Sequence, residues 1–303
     1  MRLAYLGTPW TSVAPLRALV GAGHEVVVVV SRPDRRRARG KGVQSSPVKA
    51  AAIELGIPVV TRPEEVVGSG ADLGVVVAYG TLIKAAVLDQ VPMVNLHFSL
   101  LPRWRGAAPV ERAILAGDTV TGVCLMALDE GLDTGPIYAS RQVAIGDTES
   151  ADELRERLAQ LGTELLVERL SGGFEGLGTP RSQRGEPTYA PKVSREDLHL
   201  DWRRPASELA RVVRCGRAWT TLDGRRLLVV HARAFAAFPD PGPVDPGPVD
   251  PGPVDPGKLT GTLVVTASGA LELVEVQPEG RVPMPAADWL RGAHLGADPI
   301  LGT

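Results

Sequence analysis

Two polar side chains end an apolar run in the middle of the chain. In "VPMVNLHF" Asn95 and His97 lie two residues apart, and alternate residues of a β-strand project from the same face. An amide N–H can stabilise a developing oxyanion, and an imidazole can hydrogen-bond that oxygen or transfer a proton near neutral pH. The pair therefore predicts chemistry at a carbonyl group.

A third candidate is Asp133, in the glycine-flanked turn "DEGLDTGP" between two strand-like runs. If the ends of those strands are neighbours, its carboxylate can reach His97, fix the tautomer of the imidazole and accept a proton. The three groups suit direct acyl transfer to an amine that a second substrate supplies, which needs no serine or cysteine nucleophile. Spacing alone leaves open a core histidine satisfied by an aspartate, with Asn95 in a turn.

The remaining reactive residue types favour neither a metal nor a thiol centre. The five histidines have no ligand-like spacing, so we expect no metal. Cys124 and Cys215 lie in segments without a partner motif, so we expect free thiols in a reducing compartment. The first 30 residues lack a secretory pattern, and the apolar runs are at most about eight residues long. We therefore expect a cytoplasmic protein and no membrane contact.

The elements around these residues alternate between strand and helix. Buried strands are predicted at "RLAYLG", "HEVVVVVS", "LGVVVAYG" and "VPMVNLHF", with helical patterns between them. This order predicts an α/β fold with a doubly wound, mostly parallel Rossmann-like sheet, whose ligands bind beyond the carboxyl ends of the strands. The first turn, "GTPW", lacks the glycine fingerprint of a dinucleotide site, which counts against a dehydrogenase.

The second half has shorter strands separated by glycine turns, which predict a smaller C-terminal β-barrel. We expect a catalytic domain at 1–185, a linker at 186–200 and a C-terminal domain at 201–303. Within the last domain a Pro-rich insertion at 240–257 repeats "DPGPV". Dense proline removes backbone donors, so we expect an exposed spacer, with a ligand for a proline-reading module as the alternative.

One short segment concentrates positive charge. The 303-residue chain is 44% hydrophobic and carries a net charge of −2. The segment "SRPDRRRARGK" at 31–41 holds six cationic side chains against Asp34, a net +5, which leaves the rest of the chain at −7. This favours a local contact with a polyanion over a general DNA-coating surface, and a solvated loop is the alternative.

These motifs resemble those of the 10-formyltetrahydrofolate-dependent formyltransferases. The similarity runs from "NLHFSLLPRWRGAAP" to "LDEGLDTGPIY" and also includes "LGTP", the basic segment with "SPVK", "VVAYG", "YAPKVS" and "QPEGRVPM". It spans most of the chain. The basic segment and "SLLPRWRGAAP" fit those members that formylate the methionine carried by initiator tRNA.

The resemblance implies a role for each matching position. Asn95, His97 and Asp133 match the catalytic trio. The positions implied to bind folate are Ser99, Leu100, Leu101, Pro102, Val77 and Tyr79. The positions implied to bind tRNA are Arg35, Arg36, Arg37, Arg39 and Lys41.

The resemblance also implies partners and alternatives. The C-terminal domain is expected to be an OB-like barrel that helps to hold initiator Met-tRNA, with 10-formyltetrahydrofolate as co-substrate, no metal, and a monomeric enzyme. The alternatives are a formyltransferase for a nucleotide-linked amino sugar and a non-catalytic nucleic-acid-binding protein. The chain departs from the family at Trp10, where a phenylalanine is usual, in its basic segment and in its trimmed second domain.

Overall fold

The structure is a computed structural model that describes residues 1–36, 43–238, 255–293, 295–296 and 298–302. They form two compact units. The first comprises Met1–Val110, Thr119–Gly146 and Asp152–Lys192, and the second Glu111–Asp118, Asp147–Ala151 and Val193–Thr303. Residues 186–192, which we expected in a linker, belong to the first unit. The last segment of the second unit begins at Val193, before the expected residue 201.

A mixed sheet forms the centre of the first unit. Its strands are β1 (Arg2–Gly7), β2 (Glu25–Val30), β5 (Val59–Val60), β6 (Leu73–Val77), β7 (Met93–His97), β9 (Val120–Ala127) and β10 (Ile137–Ala144). Shorter strands are β3 (Arg35–Arg36), β4 (Val43–Gln44), β8 (Arg105–Gly106) and β11 (Tyr189–Ala190). The helices up to residue 177 are α1 (Val13–Gly21), α2 (Pro47–Glu54), α3 (Ala85–Leu88), α4 (Pro109–Ala116), α5 (Ala151–Leu170) and α6 (Gly173–Leu177).

The strand order of this sheet is β10-β9-β7-β6-β1-β2-β5. Strands β7, β6, β1, β2 and β5 run parallel to one another, whereas β9 runs antiparallel to both β7 and β10. The runs of valine and leucine form these strands because the central strands are buried on both faces. The mostly parallel Rossmann-like sheet predicted from the sequence is confirmed.

Helix α5 covers one face of β7. Leu154, Leu158 and Leu165 are buried along its apolar stripe. Gly162 allows close packing, because a Cβ atom at this position would lie 2.6 Å from a methyl carbon of Leu96. Since neighbouring residues of a strand alternate between faces, Leu96 points to α5 and the side chains of Asn95 and His97 point away from it.

The second unit contains an antiparallel sheet. Its strands are β12 (Ala218–Leu222), β13 (Arg225–Phe235), β14 (Leu259–Thr260), β15 (Leu263–Val265), β16 (Ala270–Pro278) and β17 (Met284–Pro285), and its helices include α7 (Ala206–Arg214) and α8 (Ala286–Gly292). The order is β12-β13-β16-β15-β14, with β17 also on β16. The core between sheet and helices includes Trp202, Leu209 and Trp289.

The end of the chain links the two outer strands of this sheet. Leu259 of β14 donates its N–H to the carbonyl of Pro299, and Gly302 donates to the carbonyl of Thr221 in β12. Residues 299–302 therefore lie between β14 and β12 and give the sheet a barrel-like closure, as the short strands predicted. Most of the Pro-rich insertion, residues 239–254, lies outside the described residues. Among the described helices, none has the length and apolar character that crossing a membrane requires.

Candidate active site

Strand β7 places Asn95 and His97 on the face opposite α5. Both residues are buried, with exposed fractions of 9% and 6%. On one side β7 pairs in parallel with β6, and on the other it pairs with β9. Because β7 lies inside the sheet, the positions of the two side chains are fixed by backbone hydrogen bonds on both sides of the strand.

Asp133 reaches this face from a loop that folds back over the sheet. The sequence left open whether the ends of β7 and β9 are neighbours. Because β9 is antiparallel to β7, its last residue, Ala127, pairs with Val94 near the start of β7. The loop of residues 128–136 then folds back over the sheet and brings the Asp133 carboxylate to Asn95 and His97.

The three side chains converge around the Asp133 carboxylate. Its Oδ1 accepts a hydrogen bond from Asn95 Nδ2 at 3.3 Å, and its Oδ2 accepts one from the backbone N–H of Gly106 at 2.8 Å. The Nδ1 of His97 lies 3.6 Å from Oδ2. That separation is too long for a direct hydrogen bond, and it leaves Nδ1 close enough to exchange a proton with the carboxylate through a substrate atom.

A backbone carbonyl determines the tautomer of His97. The Nε2 atom lies 2.9 Å from the carbonyl oxygen of Trp104. A carbonyl can only accept, so Nε2 carries the proton and donates it. Nδ1 is therefore the nitrogen that faces Asp133 and is positioned to take part in proton exchange.

Two residues of the site hold left-handed backbone conformations without being glycine. The φ angles are +61° at Trp104 and +53° at Asp133, and such conformations cost about 1–3 kcal/mol each. The N–H of Trp104 donates to Thr188 Oγ1 at 2.9 Å, and the carbonyl of Asp133 accepts from Gln183 Nε2 at 2.8 Å. Hydrogen bonds of about 0.5–1.5 kcal/mol each offset part of this strain.

The segment after β7 forms a tight turn. Ser99 is fully buried, and its hydroxyl donates to the carbonyl of Arg103 at 2.6 Å. Leu101 is also buried, whereas Leu100 and Pro102 are partly exposed, and the Leu101–Pro102 peptide bond is cis. Of these four positions expected to bind folate, Leu100 and Pro102 therefore present the most surface, and Ser99 shapes the turn.

The segment after β6 buries the side chains of the two residues that the resemblance implied to bind folate. Val77 and Tyr79 are buried at 0% and 3% exposure, and burial raises the pKa of the Tyr79 hydroxyl. Their side chains therefore belong to the core. Ala78 and Gly80 are the exposed residues of "VVAYG", so a bound pterin would meet backbone groups at these two positions.

Only residues 31–36 of the basic segment are described. Strands β3 and β4 pair antiparallel, so the backbones at Arg35 and Arg36 are placed, but their side chains and residues 37–42, including Arg37, Arg39 and Lys41, lie outside the described residues. Asp34 forms an ion pair with Lys49 Nζ at 2.8 Å, which neutralises the one acidic side chain of the segment.

Cys124 lies beside this arrangement as an unreactive thiol. Cys124 is buried beside His97 in the sheet, and burial raises the pKa of its thiol to about 11. The thiol is therefore protonated and poorly nucleophilic at neutral pH. Within the described ranges no group of three or more histidine, cysteine, aspartate and glutamate residues is placed to hold a metal ion.

A cleft of about 790 Å³ lies beside this centre, with Leu101, Ile137 and Gln183 in its lining. Three arginines, Arg169, Arg181 and Arg184, are also part of that lining. The side chains of Asn95, His97 and Asp133 do not line it, so the cleft is separate from the carboxylate around which they converge.

Comparison with known families places the chain in a family. Residues 1–170 match the family described as formyl transferase, and residues 192–294 match the formyl transferase C-terminal domain. The chain belongs to the formyl transferase family. Among curated relatives of this formyl transferase, a methionyl-tRNA formyltransferase from Clavibacter sepedonicus is 42% identical over 96% of this chain and 97% of its own length. A second, from Methylococcus capsulatus, is 42% identical over the full length of both chains.

Solved structures share the fold at low sequence identity. HypX from Aquifex aeolicus in complex with tetrahydrofolic acid superposes with a TM-score of 0.65 at 18% identity, covering 96% of this formyl transferase and 47% of the longer HypX chain. An N-formyltransferase from Helicobacter canadensis, in complex with folinic acid and dTDP-3-aminofucose, gives a TM-score of 0.64 at 14% identity, covering 91% of this chain and 98% of its own. The chain thus spans about half the length of HypX.

Proposed function

We propose that this formyl transferase moves the formyl group of 10-formyltetrahydrofolate to the α-amine of methionine on initiator Met-tRNA, for translation initiation. The observation that carries the proposal is that Asn95 and His97 both lie beside the carboxylate of Asp133, at one face of β7. Support for the acceptor comes from the names of relatives that match at 42% identity over nearly the whole chain.

The first step is attack of the neutral amine on the formyl carbon, with Asn95 and His97 beside the formyl oxygen. A C–N bond forms, and negative charge collects on that oxygen. Asn95 has two amide hydrogens, and the bond to Asp133 at 3.3 Å uses one of them. The other can donate to the oxyanion, as can His97 Nδ1 when it carries a proton.

The second step needs a proton to leave the attacking nitrogen and another to reach the departing one. Among the described residues, the bond that Asp133 Oδ1 accepts is the long one from Asn95, whereas Oδ2 is held by the N–H of Gly106. Oδ1 is therefore the better acceptor for the amine proton. The bond from carbon to N10 of the folate breaks, protonated Asp133 returns a proton to N10 and becomes a carboxylate again, and formylmethionyl-tRNA and tetrahydrofolate leave.

The rest of the molecule serves to bind the two substrates. Exposed backbone at Ala78 and Gly80, together with Leu100 and Pro102, is proposed to contact the folate. The arginines and lysine of residues 35–41 and the C-terminal barrel are proposed to contact tRNA phosphates. The enzyme acts in the cytoplasm, as a monomer.

The test is transfer of labelled formyl from 10-formyltetrahydrofolate to several acceptors offered side by side. The expected result is label on charged initiator Met-tRNA, with none on uncharged tRNA or on a nucleotide-linked amino sugar. Label on the amino sugar instead would favour the sugar enzyme, and absence of any product would favour a non-catalytic nucleic-acid-binding protein.

A further inference from the structure

Residues 181–190 connect the two loops that carry the site. At one end Arg181 exchanges two backbone hydrogen bonds with Ile137, at 2.8 and 2.9 Å, directly after the Asp133 loop. At the other end β11 pairs in parallel with β8, which follows Trp104. This 181–190 segment therefore contacts both the loop of Trp104 and the loop of Asp133.

Gln183 contacts the Asp133 loop with its side chain. Its Nε2 donates to the carbonyls of Asp133 and Gly135, both at 2.8 Å. Its Oε1 accepts from Nε and Nη2 of Arg105, at 3.1 and 2.6 Å. Both amide hydrogens and the amide oxygen are thus used.

These partners allow only one orientation of the amide. A reversed side chain would turn its oxygen towards two carbonyl oxygens and its NH2 group towards a guanidinium, which has only donors. Arg105 therefore fixes Gln183, and Gln183 fixes the peptide carbonyls on both sides of Thr134. Asp133 needs this support because its backbone is left-handed, with φ at +53°.

We propose that Gln183 is a positioning residue for Asp133, an inference that rests on the proposed formyl transfer. Gln183 holds the loop of residues 133–135 so that Oδ1 of Asp133 lies at Asn95 and Oδ2 lies beside His97 Nδ1. It does so through the backbone, without touching the carboxylate. Loss of its N–H donors releases the loop while leaving the sheet and the three side chains intact.

Two substitutions separate the donor from the rest of the side chain. In Gln183→Glu the size and the contact with Arg105 are kept, but the two N–H donors are lost and a negative charge faces two carbonyls. In Gln183→Ala the whole contact is lost. Misplacement of a catalytic group by about 1 Å costs up to about 100-fold, so both variants are expected to lower kcat about 10- to 100-fold, with KM for both substrates within about twofold.

The matched control is Gln142→Ala, at an exposed glutamine of β10 in the same unit. It is expected to keep kcat and the melting temperature of the wild type. A second measurement asks whether Gln183 acts through Asp133. In an Asp133→Ala background, Gln183→Ala is expected to lower the residual single-turnover rate less than twofold, because the carboxylate that it positions is already absent.

Three results would overturn the proposal. One is a kcat within twofold of wild type in both Gln183→Ala and Gln183→Glu. Another is a rise in KM at unchanged kcat, which would make Gln183 a binding residue of the neighbouring cleft. The third is a full additional loss in the Asp133→Ala background. Failure of the proposed function itself is distinct, since the wild-type enzyme would then form no formylmethionyl-tRNA.

Discussion

At the scale of single residues, the site depends on which side-chain atoms already form hydrogen bonds with backbone groups. His97 Nε2 is held by the Trp104 carbonyl and Asp133 Oδ2 by the Gly106 N–H. The remaining atoms, His97 Nδ1 and Asp133 Oδ1, are therefore those that can change partners during a reaction. The sequence predicted Asn95 and His97 because a strand has a period of two. It could not predict the hydrogen bonds at His97 Nε2 and Asp133 Oδ2, because backbone groups of a separate turn form them.

Cys124 is expected to be inert in the folded protein. Its thiol has a raised pKa of about 11 and is 1% exposed, so about one molecule in a thousand is thiolate at pH 8. In a Cys215→Ala variant, iodoacetamide is expected to label Cys124 only after unfolding, and labelling is measured by intact mass. Labelling of the native protein at a rate near that of the unfolded chain would contradict this assignment.

At the scale of elements, the reversal of β9 determines how Asp133 arrives. The sequence correctly indicated a strand, a glycine-flanked turn and a second strand. It did not indicate that β9 is antiparallel, since a short apolar run carries no sign of direction. Gln183 was missed for a related reason, because the sequence around it, "GTPRSQRG", has no periodicity and lies directly before the expected linker. Its role becomes visible only once β8 and β11 are paired.

Gly135 offers a test of the Asp133 loop. A Cβ atom here would lie 1.9 Å from the carbonyl oxygen of Ala127, a backbone atom that cannot move without disturbing β9. Gly135→Ala is therefore expected to displace the loop, to lower kcat about 100-fold and to cost about 1–3 kcal/mol of stability. Single-turnover formylation measures the loss of rate, and denaturant unfolding measures the loss of stability.

The control for this substitution is Gly21→Ala at the end of α1, where a Cβ atom meets nothing within 4 Å. It is expected to leave kcat unchanged and to gain about 0.4–1 kcal/mol, because alanine restricts the unfolded chain. Equal behaviour of the two variants would mean that the Asp133 loop tolerates displacement.

At the scale of the whole molecule, charge is distributed unevenly. Under the proposed function, the segment of residues 31–41 with its net +5 is expected to attract tRNA, because the rest of the chain carries a net charge of −7. The sequence predicted this contrast, the two-part organisation and the fold of each part. It could not place the boundary between them, because residues 186–192 join the first unit through the pairing of β11 with β8.

The salt dependence of tRNA binding is expected to reflect this segment. Each phosphate contact contributes about 0.7–0.9 to the slope of log K against log salt concentration. Replacing Arg36, Arg37 and Arg39 with alanine is therefore expected to reduce the slope by about 2–3 and to leave formylation of a small methionine ester within twofold. Arg17→Ala, which removes the partner of Glu54, serves as the control, and an unchanged slope in the triple variant would exclude the segment from tRNA binding.

Whether Asn95 and His97 stabilise the oxyanion is tested by the single-turnover rate of formyl transfer to bound Met-tRNA in Asn95→Ala and His97→Ala. Loss of one oxyanion donor costs about 10²–10³ in rate, so both rates are expected to fall at least that far while tRNA affinity stays within twofold. A rate near that of the wild type in His97→Ala would contradict the account.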